Sequence, residues 1–415
     1  MRLGIIGGSG VYTPFLIKEL MSAFEGMPIE KIILNGRSLY KLEIIKNVCD
    51  YLMEKNNKKI VLSITTDRKE AIRESDIVLC QIRVGGMESR AFDENLSYEF
   101  NIPSEETIGP GGLSNAIRTI PVILEIADEV EKYNNKALFI VLSNPLSMIL
   151  RALRSKNISF VGICDLPQQL IDNISNFLNC NRNEIMVEYF GLNHLGWIKK
   201  VYFRGTDVTQ YIADNFEKID RGIEKELVKE WSLLPVSYLR YYVHGDKVLS
   251  DIKEKISRTM QLIALEKEAM EKFKKMEFDE GLEILSKRST VWYKYISGLI
   301  NALVSENWTY HIINVKNNNI YPFLPEEAII ETGCVIKSGV IYPLPAKNIP
   351  IFAKMLITQI NTYEELVVEG IIRKNPKLLI QALMLHPYAI SFEKARTIVE
   401  KIIKKNKEMG FVTWG

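Results

Sequence analysis

The chain is poor in the residues that most often carry metal and nucleophilic chemistry. Its 415 residues include only four histidines and five cysteines. The cysteines are scattered and odd in number, and no C-x-x-C occurs, which argues against a disulfide framework. Long apolar runs are also missing. The longest, near 137–150, is interrupted by Asn144-Pro145 and is too short to cross a bilayer. Neither sign of charge dominates: 53 basic and 51 acidic residues leave a net charge of +2. No global field therefore attracts nucleic acid, although a local basic pocket for a small anion remains open. The opening MRLGIIGGSG has one short apolar run that breaks into glycines, unlike a secretory signal. Internal repeats, low-complexity segments and linkers are absent. These absences predict a cytoplasmic protein with no membrane and no nucleic-acid partner. Hydrophobic residues make up 47% of the chain and charged ones 25%, enough at this length for two packed domains.

What is present is an alternation of strand and helix signals through the first half. Strands are predicted at 2–7, 31–34, 60–64, 77–81, 137–142 and 160–163. Helices are predicted at 14–24, 39–55, 68–74, 113–133 and 145–154. Repeated βαβ units imply a doubly wound parallel sheet of the Rossmann type, with ligands at the carboxyl ends of the strands. After about residue 195 the pattern becomes mixed. A strand at 198–203 is followed by helices at 223–231, 250–276 and 292–304. Short strands near 311–315 and 328–342 then precede helices at 349–373 and 376–408. The expected fold class is α/β: an N-terminal nucleotide domain over 1–195 and a C-terminal α+β domain over 196–415.

The first βα turn reads G-G-S-G-V-Y-T-P from Gly7 to Pro14. Glycines there let the backbone approach a pyrophosphate. Tyr12 stands where a third glycine is usual, so Gly7, Gly8, Ser9, Gly10, Val11 and Tyr12 form the candidate cofactor turn. After the second strand the expected ribose-binding acid is replaced by Asn35, with Arg37 close behind. Asn can hydrogen-bond a ribose, and Arg37 could pair with a 2′-phosphate, so NAD and NADP both stay open. Arg83, in R-V-G-G just past the fourth strand, and Arg258 are candidate anion clamps.

Cys164, in I-C-D-L-P, ends the sixth predicted strand. His194 lies in G-L-N-H-L-G-W. A free Cys is most often a small buried hydrophobe. A thiolate and an imidazole together suit a divalent transition metal, and two ligands would leave positions open for substrate or water. Asp165 is a candidate general acid, a carboxylate that orients a metal ligand, or a loop cap. Asn144 and Asn193 suit sugar hydroxyls but are also common in turns. In Y-L-R-Y-Y at 238–242 two of the three tyrosines read as packing, whereas a tyrosine near a metal can act as a base. The loop Ser104-Glu105-Glu106-Thr107 leads into Gly109-Pro110-Gly111-Gly112.

Taken in order, the glycine turn, I-R-V-G-G with R-A-F-D-E at 82–94 and E-T-I-G-P-G-G-L at 106–113 form a recognisable series. S-N-P at 143–145, I-C-D-L-P, G-L-N-H, Y-L-R-Y-Y and V-K-N-N-N-I at 315–320 continue it. Together they closely resemble glycoside hydrolase family 4, the NAD- and metal-dependent 6-phospho-glucosidases and their relatives, along nearly the whole chain. That family departs from two-carboxylate glycoside hydrolysis. The resemblance implies oxidation of the sugar at C3 by NAD+, removal of the C2 proton, elimination of the aglycon, addition of water and return of the hydride. It also implies a lactate/malate-dehydrogenase-like architecture, a divalent metal, Mn2+ by expectation, at Cys164 and His194, and a homodimer or homotetramer. Tyr238 matches the family base, with Tyr241 as fallback, and Asp165 the acid that assists the leaving group. Arg258 matches an arginine at the sugar phosphate. Asn144 and Asn193 match contacts to sugar or metal, and Arg90 and Glu106 fall in matching motifs as candidate substrate contacts. The expected substrate is a small phosphorylated disaccharide or glucoside.

Departures from the family pattern are Glu105 for a usual Gln, Asn319 for a usual Gly, the rearranged glycine turn, and Asn35. C-D-L-P points to α-glucosides. K-R-S-T-V-W-Y at 287–293 and the short chain look more like the β-specific members, and the balance favours a 6-phospho-β-glucosidase over α-specific relatives. The rival readings are a hydroxy-acid dehydrogenase, which would need no Cys ligand, and a silent NAD or sugar-phosphate sensor, for which Glu105 is the best support.

Overall fold

A computed structural model of the chain describes residues 1–23, 29–254 and 258–414, with the side chains of 97, 252–254 and 258 outside that description. Its centre is one 13-stranded sheet. The strands are β1 (Arg2–Ile6), β2 (Lys31–Asn35), β3 (Val61–Thr65), β4 (Ile77–Cys80), β5 (Leu138–Val141), β6 (Phe160–Gly162) and β7 (Ile185–Leu192). There follow β8 (Leu195–Phe203), β9 (Thr206–Asp207), β10 (Leu234–Pro235), β11 (Thr309–Lys316), β12 (Ile329–Lys337) and β13 (Val340–Pro343).

The first six strands are all parallel and lie in the order β6-β5-β4-β1-β2-β3. This 3-2-1-4-5-6 arrangement is the doubly wound dinucleotide-binding order, whose ligand crevice lies outside the carboxyl ends of the strands. Their runs of Ile, Leu and Val are buried on both faces, as a sheet covered by helices on both sides requires. The remaining strands are antiparallel. β11 joins β6 through Asn314 and Gly162, then pairs with β12, which pairs with β7. The sheet is therefore continuous across residue 195, which lies at the start of β8 in the β7–β8 hairpin.

The helices at 39–55 and 292–304 occupy the predicted positions. Elsewhere the differences have local causes. The helix predicted at 113–133 begins at Gly109, because Pro110 at its first turn presets a helical φ, and it runs to Asn134. The strand signal at 328–342 is a hairpin, β12 and β13, turned at Ser338 and Gly339, both with positive φ. The helix predicted over 376–408 is two helices, Pro376–Leu385 and Phe392–Glu408, separated at His386-Pro387. The helix predicted over 250–276 is seen as Gly245–Glu254 and Arg258–Lys274, with 255–257 outside the described residues. Helices Gly86–Phe100 and Leu166–Leu178, and strand β7, were not signalled by periodicity. Among the described residues no helix is long and apolar enough to cross a membrane.

Candidate active site

The β1–helix turn is built from glycines that cannot be replaced freely. Gly7 has φ +91°, and a Cβ on Gly8 would meet the Cβ of Leu34 at 2.8 Å. Both amides donate to the Asn35 carbonyl, at 3.1 and 2.8 Å, which ties the turn to the end of β2. Gly10 is exposed, with only ordinary contacts where a Cβ would stand, so the backbone is open to an approaching group there. Ser9 and Val11 are half-buried. Tyr12 is buried against Phe15 and Trp292, and the Arg288 guanidinium lies 4.8 Å from the centres of the Tyr12 and Trp292 rings. Gln81 at the end of β4 donates to Thr13 Oγ1 (3.1 Å) and accepts from the Tyr293 hydroxyl (3.2 Å). The helix Trp292–Val304, far along the chain, thus covers this turn. The crevice fits a dinucleotide pyrophosphate by its positive-φ glycine and its bare backbone at Gly10.

Cys164 and Asp165 follow β6, at the same edge of the sheet. Cys164 is buried, its Sγ 3.9 Å from an Asp165 oxygen, and burial pushes its thiol well up, with the nearby Glu331 and Asp165 carboxyls adding to this. Asp165 also accepts a short hydrogen bond from Gln169. Asn193 and His194 form the two-residue turn between β7 and β8, where Leu192 pairs with Leu195. His194 has φ +65°, a left-handed conformation that costs a non-glycine residue on the order of 1–3 kcal/mol. The tight turn holds it there.

His194 is buried, and its Nδ1 lies 3.1 Å from Thr107 Oγ1. Burial lowers its pKa to about 4, so the ring is neutral and able to ligate through Nε2. Its ring centre is 4.5 Å from that of Tyr238, which in turn lies 5.3 Å from Tyr241. The Tyr238 hydroxyl donates to Glu105 Oε2 at 3.5 Å, and burial, then the Glu105 charge, push this phenol well above its usual value. Asn193 lies against both Cys164 and Glu331, and its buried Nδ2 has no hydrogen-bond partner among the described residues. His194 and Asn193 also line a small cavity of about 20 Å³ with Thr107, Tyr242, Glu364 and His386, room for one water.

Glu106 is gripped by two arginines. Arg83 makes a short ion pair with it, and Arg90 lies at 3.1 Å while also bonding Glu94 at 2.8 Å. Burial works to raise Glu106, but the two guanidiniums prevail and hold it below the usual carboxylate range. Its neighbour Glu105 moves the opposite way, raised by burial and then by the Glu106 charge. Thr107 N–H donates to Glu105 at 2.9 Å, fixing the loop. The whole segment rests on Arg118, nearly fully buried, which bonds Asp93 (3.0 Å), the Val84 carbonyl (3.0 Å) and the Ser114 carbonyl (2.7 Å).

The fold thus gathers Cys164, Asp165, Asn193, His194, Tyr238, Glu106, Arg90 and Arg83 at one edge. Asn144 lies three residues past the end of β5, half-buried, and its side chain makes no hydrogen bond among the described residues. Asn35 is buried and turned into the sheet, its Nδ2 donating to the Thr65 carbonyl at 3.1 Å. Arg37 is exposed beside the glycine turn. Arg258 opens a helix, and its side chain lies outside the described residues.

Sequence reasoning missed Glu331 on β12. Fully buried, it accepts from the Tyr189 hydroxyl (2.5 Å) and Asn314 Nδ2 (2.9 Å) beside Asn193, and burial raises it to about 7. A lone carboxylate inside the apolar run I-I-E-T-G-C was the available signal. It also missed Arg288 and the partnership of Thr107 with His194.

The donor set suits a divalent transition metal. Cys164 offers a soft sulfur and His194 a neutral imidazole oriented by Thr107. Among the described residues no group of three or more His, Cys, Asp or Glu side chains converges as a metal cage. Two protein ligands would leave the remaining positions for substrate or water.

Two family descriptions match the chain: "Family 4 glycosyl hydrolase" over residues 2–180 and "Family 4 glycosyl hydrolase C-terminal domain" over 189–389. Among characterised relatives, a 6-phospho-beta-glucosidase of Thermotoga maritima is 30% identical over 416 residues, covering 98% of this chain and 99% of its own. A crystal structure of the T. maritima 6-phospho-beta-glucosidase with manganese, NAD+ and glucose-6-phosphate superposes with a TM-score of 0.89 at 28% identity, covering 100% of both chains. A malate dehydrogenase from Plasmodium falciparum shares the fold alone, with a TM-score of 0.54 at 12% identity, covering 91% of this chain and 99% of its own.

Proposed function

The chain belongs to family 4 of the glycosyl hydrolases, and from that premise we propose that it hydrolyses 6-phosphorylated β-glucosides by oxidation, elimination, addition of water and reduction. The single observation that carries this reading is the contact of His194 with Tyr238, ring centres 4.5 Å apart, at the sheet edge where Cys164 follows β6. A ligand pair and a candidate base meet there beside a dinucleotide crevice.

When bound, the nicotinamide dinucleotide supplies a hydride acceptor and donor, and the divalent metal, Mn2+ in our reading, supplies a Lewis acid. Cys164 Sγ and His194 Nε2 would hold the metal. Tyr238 is the base that takes the C2 proton. Burial and Glu105 keep its phenol protonated in the metal-free chain, and a cation at His194 opposes both effects. Asp165 gives a proton to the departing aglycon oxygen. Asn193, with its unpartnered Nδ2, hydrogen-bonds a sugar hydroxyl, and Asn144 serves the same role from the loop after β5. Arg90 and Glu106 form a preorganised pair at the sugar, and Arg258 holds the phosphate. Gly7 to Tyr12 carry the pyrophosphate, with Arg83 nearby. The bury-and-hold arrangement of Arg83, Arg90 and Glu106 keeps these groups from reorganising during turnover.

A second reading, action on α-glucosides, is favoured by one observation: a carboxyl, Asp165, directly follows Cys164 and lies 3.9 Å from its sulfur. We also take the protein to be cytoplasmic and a homodimer or homotetramer. Five unpaired cysteines support a reducing compartment, and light scattering measures the assembly.

The test is hydrolysis of nitrophenyl α- and β-glucoside 6-phosphates and their unphosphorylated forms, with and without NAD+, Mn2+ and thiol reductant. Turnover of the β-linked phosphate alone, needing all three additions and lost in Cys164→Ser, supports the proposal. Turnover of the α-linked substrate establishes the second reading. Bound dinucleotide with no turnover of any sugar would leave the sensor or the hydroxy-acid dehydrogenase.

A further inference from the structure

The end of β2 bears on which dinucleotide the crevice takes, a question that rests on the cofactor reading above. Ile6, Asn35 and Thr65 stand side by side at the ends of β1, β2 and β3. The Gly7 and Gly8 amides both donate to the Asn35 carbonyl, and a Cβ on Gly36 would strike Ser9 Oγ at 2.7 Å. The segment Asn35-Gly36-Arg37 is therefore packed against the pyrophosphate turn. With the pyrophosphate on that turn, the adenosine ribose lies at the end of β2.

A dinucleotide with a free 2′-hydroxyl is usually held there by a carboxylate that accepts from the ribose diol, and the same carboxylate repels a 2′-phosphate. Among the described residues no such group is free at the end of β2. Asn35 is only 5% exposed and its Nδ2 is spent on the Thr65 carbonyl. The two carboxylates that follow β3 are also occupied: Asp67 caps Lys69 N–H at 2.9 Å, and Glu70 accepts from Thr65 Oγ1 at 2.6 Å. Arg37, two residues past Asn35, is exposed and makes no ion pair or hydrogen bond among the described residues. A guanidinium pairs with a phosphate through two parallel hydrogen bonds.

We propose that this chain binds the 2′-phosphorylated dinucleotide NADP+ at least as tightly as NAD+, with Arg37 pairing with the 2′-phosphate. Asn35 contributes by removing the charge that would reject that phosphate.

The experiment is the dissociation constant of NAD+ and of NADP+ for the purified full-length chain, without sugar, read by quenching of tryptophan fluorescence. The wild type is expected to bind NADP+ no more weakly than NAD+. Arg37→Ala should weaken NADP+ by about tenfold or more, the usual worth of a charge-assisted contact, while NAD+ changes by less than about threefold. Arg37 is exposed, so this substitution leaves the fold intact. Asn35→Asp should shift preference toward NAD+. Binding of NADP+ by the wild type more weakly than NAD+, beyond the error of the two titrations, overturns the proposal while leaving the cofactor crevice intact. An equal loss of both ligands in Arg37→Ala, or no loss of either, overturns it as well. Binding of neither dinucleotide overturns the crevice reading and this inference together.

Discussion

Thr107 Oγ1 lies 3.1 Å from Nδ1 of His194, a contact between residues 87 positions apart. It joins the loop before the helix Gly109–Asn134 to the β7–β8 turn. With Nδ1 engaged, Nε2 is the nitrogen left for the proposed metal, and in that reading the hydroxyl sets the ring's tautomer and angle. Replacing Thr107 by Val keeps the side chain's size and removes that partner. Mn2+ binding to the metal-free protein, measured by calorimetry, is expected to weaken about ten- to a hundredfold. An unchanged affinity would show that Thr107 does not orient the ligand.

In the proposed mechanism Tyr238 is the base, a role supported by its contact with His194 and its hydrogen bond to Glu105. Tyr238→Phe should lower kcat by about a hundred- to ten-thousandfold, the usual worth of a positioned proton acceptor. Exchange of the substrate C2 hydrogen with deuterated solvent should fall with it, while dinucleotide affinity holds. Undiminished exchange in the variant would move the role to Tyr241.

Glu331 is expected to make the metal-free protein less stable as pH rises. Burial, partly offset by the hydrogen bonds from Tyr189 and Asn314 and by the nearby Asn193 amide, raises its pKa from 4.5 to about 7. Between those values the folded chain keeps a proton that the unfolded chain has released. Stability is therefore fully present below the unfolded value and is lost as pH climbs to the folded one. The gap from 4.5 to about 7 corresponds to ~3 kcal/mol. Glu331→Gln should flatten that decline in thermal unfolding followed from about pH 4 to pH 8. A variant whose pH profile parallels the wild type would assign the decline to other groups.

Arg118 and Asp93, exposed by 1% and 0%, form a buried ion pair that carries the Arg83 loop through the Val84 carbonyl. Removing one partner strands a buried charge. Arg118→Leu should cost about 3–5 kcal/mol in denaturant unfolding. A loss under about 1 kcal/mol would mean that Asp93 takes a proton when left alone, as a buried carboxyl raised to about 6 by burial is poised to do.

The sequence by itself determined the parallel half of the fold and most of the members of the site. Strand runs of Ile, Leu and Val, turns rich in glycine, and amphipathic helices such as 39–55 are local signals, set by side-chain period and backbone freedom. The motifs around Cys164, His194 and Tyr238 were legible for the same reason: each is a short stretch of unusual residues. Tertiary structure alone decided who touches whom. Glu331 reads as one acid in an apolar strand until β12 pairs with β7 and carries it beside Asn193. Thr107 reads as a loop residue until the β7–β8 turn folds His194 onto it. Asn35 reads as a ribose ligand until the parallel pairing of β2 and β3 offers it the Thr65 carbonyl. These contacts join segments far apart in the chain, and their energies depend on burial and charge that arise only when the sheet is complete.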